Sequence, residues 1–206
     1  MRILNILFLF LSLNLAAQEE LSKDEISQFQ KEMLTKTKDL LTLEADFIQT
    51  KKIAMITDES VSRGKIYYQN PEKLKWEYAE PKDYVILFIE EELHIDDAGD
   101  KSVRNTSSNK LFDKIAKLIT GSVNGKLLQD NENFDISYTR NNNLISALII
   151  PKDKNLKAMF AEIHLSFNKE NIVEQVDLKE EAGDMTTIEF SKIKINHEIP
   201  PTVFEP

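Results

Sequence analysis

Alternation of apolar and polar residues dominates this chain, and it constrains the fold more than any other feature. At least nine segments carry it at hairpin spacing, interrupted only by two stretches of helical period. Period two places every second side chain on one face, the pattern of a half-buried strand. "LEADFIQTKKIAM", "SRGKIYYQN", "KLKWEYAEP" and "DYVILFIEEELHIDD" come first. "NFDISYTRN", "LISALIIPK", "KAMFAEIHLSFNK", "NIVEQVDLKEE" and "TTIEFSKIKIN" follow. Asn141-Asn142-Asn143, the Asn168–Asn171 stretch and Glu181-Ala182-Gly183-Asp184 supply turn material between them. "YVILFI" is apolar on both parities, so that strand should be covered on both faces. The tail from His197 holds three prolines and reads as an extended closing segment. The sum is a mostly antiparallel β architecture with helices on one side. A sheet this large must curl to bury a concave face.

The two helical stretches have clear signals. Ser22-Lys23-Asp24-Glu25 has the S-x-x-E form of a capping box. Behind it Ile26, Phe29, Met33, Thr37, Leu40 and Leu41 recur at helical spacing, which predicts a helix from about Lys23 to Leu41. In "NKLFDKIAKLITGSVNG", Leu111, Phe112, Ile115, Leu118 and Ile119 form a strong apolar stripe, and Gly121 stops the helix.

Met1-Arg2, the apolar run Ile3–Leu15 and the small pair Ala16-Ala17 read as a signal peptide over residues 1–17. The run is too short for a spanning anchor, and no cysteine follows it for lipid attachment. The expectation is a single domain over residues 18–206, free and monomeric in an extracytoplasmic compartment. A net charge of −9 with no basic block argues against nucleic acid as a partner.

Little in the chain promises chemistry. Without cysteine there is no thiol nucleophile and no cysteine metal site. His94, His164 and His197 lie on separate segments, and His164 takes an outward strand position. Asp96-Asp97-Ala98-Gly99-Asp100 has a faint likeness to a calcium loop, but the twelfth position is Ser107, so a hairpin tip fits better. Glu90-Glu91-Glu92 and Glu180-Glu181 read as solvated strand ends. No catalytic constellation, metal or cofactor is expected. What remains are apolar rows: Leu74, Trp76 and Tyr78; Ile66 and Tyr68; Phe134, Ile136 and Tyr138; and Met159 through Phe167 on one parity. Alternation alone leaves a packed core and a lined cavity both open.

The order of these segments resembles one family. "LEADFIQTKK", with Phe47 and Gln49 two apart, is similar to the opening strand of LolA-type lipoprotein carriers. "RGKIYYQNPEKLKWEY" resembles their G-x-(apolar)-x-(apolar)-x-x-P-x-x-(apolar)-x-W block through Gly64, Ile66, Tyr68, Pro71, Leu74 and Trp76. The ending resembles N-x-x-(I/L)-P-x-x-x-F through Asn196, Ile199, Pro200 and Phe204. The resemblance implies an incomplete, open antiparallel β-barrel with an α-helical lid. It implies a periplasmic, non-catalytic carrier that takes acylated lipoproteins from an inner-membrane exporter to an outer-membrane receptor. On that reading Phe47, Ile66, Tyr68, Leu74, Trp76 and Tyr78 line an acyl cavity, and Leu111, Phe112, Ile115 and Ile119 form the lid face. The family's latch arginine before the block's proline is replaced by Asn70, which has no charge and a shorter reach. A carrier of another acyl lipid or pigment, or a lipoprotein-sensing regulatory module, stays open as an alternative.

Overall fold

The computed structural model describes residues 19–55, 58–71, 73–89, 92–105 and 126–206. The expected leader and the second amphipathic helix, with Leu111, Phe112, Ile115 and Ile119, lie outside them. Among the described residues twelve strands form one antiparallel sheet: β1 (Glu19–Glu20), β2 (Thr42–Lys52), β3 (Glu59–Gln69), β4 (Lys73–Glu80), β5 (Tyr84–Ile89), β6 (Glu92–Asp97), β7 (Asp100–Asn105), β8 (Phe134–Asn141), β9 (Leu144–Pro151), β10 (Glu162–Phe167), β11 (Val173–Lys179) and β12 (Met185–Ile195). The order across the sheet is β1-β8-β9-β10-β11-β12-β2-β3-β4-β5-β6-β7. Neighbours in space are neighbours in sequence except where β12 meets β2 and β1 meets β8. Among the described residues the edges β1 and β7 do not pair, so the sheet stays open, as an incomplete barrel should.

Helix α1 (Lys23–Lys38) starts at the expected capping box. Ser22 N–H donates to Glu25 Oε2 at 2.9 Å, and Glu25 N–H donates to Ser22 Oγ at 3.4 Å. The same Glu25 accepts from Arg140 on β8 at 2.6 Å, which ties the helix start to the sheet. Phe29 and Met33 are its buried residues. Phe29 meets Tyr138 and Phe167 edge to face, at 5.8 and 5.1 Å between centroids. The helix ends three residues short of the expected Leu41, and Asn196 is the reason. Its Oδ1 accepts from the backbone N–H groups of Leu41 and Thr42 at 2.8 and 3.4 Å, and its Nδ2 donates to Asp39 O at 2.8 Å. Asn196 reaches them from a left-handed φ of 55°, which asparagine tolerates.

The turns follow their chemistry. Asn142 and Asn143 both have positive φ between β8 and β9, and Gly183 has φ 91° between β11 and β12. Gly99, at φ 99°, closes the β6–β7 hairpin and donates to Asp96 Oδ1 at 2.7 Å, so the acidic loop is a turn. Two expected strands are subdivided. "DYVILFIEEELHIDD" holds the two strands β5 and β6. "KAMFAEIHLSFNK" begins inside a short helix α2 (Lys154–Met159), because Asp153 caps it by accepting from Asn155 and Leu156 N–H at 3.1 and 3.0 Å. The tail is extended until the 3-10 turn Pro201–Phe204. That turn explains the two-sided apolarity of β5: Leu87 packs outward against Ile199 and Phe204, while Phe88 faces the concave side.

The concave face carries two separate cores. One joins α1 to β8–β10 through Phe29, Met33, Tyr138, Ile149, Ile163, Leu165 and Phe167. The other joins β2–β6 through Leu40, Ala45, Ile66, Tyr68, Leu74, Phe88 and Leu93. They do not merge.

Candidate functional site: an apolar cleft between the two cores

The space between the cores is a cleft of about 410 Å³. Its floor runs across the sheet. It takes Val173, Val176 and Leu178 from β11, then Ile188, Phe190, Ile193 and Ile195 from β12. Leu43 and Ala45 of β2, Ile66 of β3 and Trp76 of β4 continue it. Register explains the continuity, since Val176 lies opposite Ile188, Ala45 opposite Ile66, and Ile66 opposite Trp76. Met33 and Leu40, from α1 and the connection after it, form the overhang. The volume falls within the ~300–1,000 Å³ typical of ligand pockets, and the apolar lining suits a greasy occupant.

An aromatic cluster stiffens the β2–β4 wall. Phe47 meets Tyr78 edge to face and Trp76 at a tilt, with centroids 5.0 Å from each, and Trp76 meets Phe190 edge to face at 6.1 Å. Gly64 makes room for it. A Cβ there would sit 1.9 Å from Glu77 O and 2.8 Å from Phe47 Cζ. Tyr78 donates its hydroxyl to Gln49 Oε1 at 3.0 Å, which gives the Phe47/Gln49 pair two distinct jobs. Burial, with the neighbouring Tyr84 adding to it, pushes the Tyr78 hydroxyl up to about 12. Trp76 Nε1 is buried, and its interaction with the Tyr78 hydroxyl falls short of hydrogen-bond geometry.

Of the cavity residues named from the sequence, Ile66 and Trp76 line the cleft. Phe47, Tyr68 and Leu74 share their face of the sheet but are packed into the wall, each at most 1% exposed. Tyr78 supports Phe47 and faces a second, more polar depression beside Gly64 and Lys65. Asn70 is exposed at the end of β3, and its backbone N–H donates to Leu41 O at 2.8 Å beside the overhang. The sequence pattern does not single out the lining from α1, β11 and β12. "IVEQVDLK" and "IEFSKIKI" carry the same alternation, so the signal was present, but nothing local says that β12 folds back beside β2.

Each histidine meets one glutamate: His94 with Glu92 at 3.1 Å, His164 with Glu162 at 3.2 Å and His197 with Glu44 at 2.9 Å. On the convex face, partial burial works to raise the Glu44 carboxyl. Hydrogen bonds from Lys65, His197 and Lys194 outweigh it and hold the group below the usual range. Among the described residues no acidic or histidine cluster could hold a metal ion, and no helix is long and apolar enough to cross a membrane.

Comparison with known proteins places this architecture. The family model for outer membrane lipoprotein carrier protein LolA matches residues 38–206. An outer-membrane lipoprotein carrier protein of Legionella pneumophila is 26% identical over 185 residues, covering 89% of this chain and 88% of that protein. One from Nitrosospira multiformis is 25% identical over 171 residues, covering 80% and 77%. Among solved structures, a LolA superfamily protein from Nitrosomonas europaea is similar, with a TM-score of 0.46 at 10% identity over 88% of this chain and 97% of that one. The chain belongs to the LolA family of outer-membrane lipoprotein carriers.

Proposed function

We propose that the protein is a non-catalytic periplasmic carrier that holds the acyl chains of lipoproteins in the cleft between its two cores. It receives them from an inner-membrane exporter and delivers them to an outer-membrane receptor. The observation that carries this reading is the cleft itself: an apolar space of about 410 Å³ kept open inside a family of lipoprotein carriers. The physical need is large. An acyl chain of about 16 carbons is roughly 12 kcal/mol less stable in water than in oil, at about 0.8 kcal/mol per methylene. Delivery requires the hold to be moderate, because cargo must pass to a tighter site. Leu111, Phe112, Ile115 and Ile119 are the proposed lid face over the empty cleft. Asn70, beside Leu41, is the proposed latch, and lid closure should weaken in Asn70→Ala.

The test mixes purified protein with vesicles containing a radiolabelled triacylated lipopeptide, then removes the vesicles. The proposal expects lipopeptide to remain in solution with the protein at a fixed stoichiometry. Lipopeptide that stays with the vesicles at every protein concentration contradicts it. Extraction of phospholipid in preference to lipopeptide would favour a carrier of another lipid.

A further inference from the structure

The lining of the cleft is not uniform, and its polarity has a direction. Its polar members are Lys36, Thr37, Glu170 and Asn171. All four lie at one place, where the last turns of α1 meet the β10–β11 turn. Lys36 donates to Glu170 O, and Asn171 Nδ2 donates to Glu32 Oε2 at 3.2 Å, so the two elements are strapped together there. Lys36 and Glu170 are exposed, whereas Ala45 and Ile66 at the far side of the cleft are 1% and 2% exposed. Trp76, beside Ile66, closes that far side. The other exposed lining residue, Ile195, offers only apolar surface.

An amphiphile bound in such a cleft has one favourable direction. Its tail gains most where water is excluded, and its polar end needs donors. The strap has donors to spare. An ammonium carries three and an amide nitrogen two, while each nitrogen spends one on the contact above. Thr37 is already committed, since its hydroxyl donates to Met33 O at 2.8 Å. Glu170 adds a carboxylate at the same mouth, which disfavours a negatively charged head and favours a neutral acceptor. Accepting the cleft as an acyl site, we propose that it binds chains in one orientation. The ester or amide carbonyl oxygens that attach the chain are held by Lys36 Nζ and Asn171 Nδ2, and the methyl end lies against Trp76. The strap is then the subsite that recognises the acyl linkage.

Trp76 is the only tryptophan, so its fluorescence reports on its end of the cleft alone. The experiment uses the purified protein and lipopeptides whose chains carry bromine either near the methyl end or next to the carbonyl. Methyl-end bromine should quench Trp76, and carbonyl-end bromine should leave it bright. A second arm compares ester-linked with ether-linked chains, which lack the carbonyl acceptor. The wild type should prefer the ester by about two- to fivefold, the range for an exposed charged contact, and Lys36→Met should lose that preference. Lys36 is exposed, so the variant keeps the fold. Quenching by the carbonyl-end label with a silent methyl-end label overturns the orientation, and equal quenching by both does the same. An ester preference that survives in Lys36→Met, or is absent in the wild type, overturns the subsite. If no lipopeptide binds, displaces a competitor or quenches, the acyl-carrier reading itself falls along with it.

Discussion

Filling the cleft from its floor should abolish binding without unfolding the protein. Val176 sits mid-strand on β11, half-buried, with Leu165 and Ile188 as its cross-strand neighbours. Its side chain faces the open space, so the substitution Val176→Phe places the ring in the cleft. Phenylalanine suits a strand. The ring adds about four carbon atoms to the floor, and each methylene of ligand displaced costs about 0.8 kcal/mol. The expected loss is therefore about 3 kcal/mol, or roughly a hundredfold in affinity. A solvatochromic fatty-acyl probe titrated into both proteins gives the affinities, and thermal unfolding reports the fold. Ile48→Phe on the convex face is the matched control, because Ile48 is 39% exposed and lines no part of this cleft. Binding by Val176→Phe within a few-fold of the wild type, with the fold intact, would refute the assignment of the cleft.

Three further predictions concern the frame around the cleft. Gly64→Ala drives a methyl group into Glu77 O and the Phe47 ring, so it should destabilise by about 1–3 kcal/mol or more, seen as a lowered melting temperature. Asn196→Ala frees the N–H groups of Leu41 and Thr42 and the carbonyl of Asp39 at the exit of α1; water can reach these exposed groups, so the loss should be about 0.5–1.5 kcal/mol in urea unfolding. Glu25 supplies a pH dependence: hydrogen bonds from Arg140 and then Ser22 lower its carboxyl from 4.5 to about 2. A lowered folded-state pKa stabilises above the unfolded value, and that contribution disappears as pH falls from about 4.5 toward 2. Melting temperature should drop across that window in the wild type and drop less in Glu25→Gln.

Much of the fold could be read from period and turn chemistry because both are local. The capping box at Ser22, the asparagine and glycine turns and the two-sided β5 each follow from a few neighbouring residues. Where a non-local group competes, the reading shifts. Asn196, more than 150 positions away, ends α1 early. A single side chain, Asp153, turns the start of an apparent strand into helix α2. The strands β1 and β7 are short and polar and carry no apolar alternation to find. The candidate site is harder still. Alternation assigns a residue to a face but not to a depth, so Phe47 and Leu74 look the same as Ile66 and Trp76 in sequence. Depth depends on what lies across the face, and here that is α1 and the β11–β12 pair, joined to β2 only by tertiary pairing.

If acyl chains lie in the cleft between the two cores, a lipopeptide with a photoreactive diazirine at the methyl end of its acyl chain will label the residues that line it. After irradiation with the purified protein, mass spectrometry of the peptides locates the adducts. Adducts are expected at Trp76, Phe190 and Ile193, lost when an unlabelled lipopeptide competes. Adducts confined to the convex face around Ile48 and Tyr67, or adducts that no competitor removes, would contradict that placement of the chains.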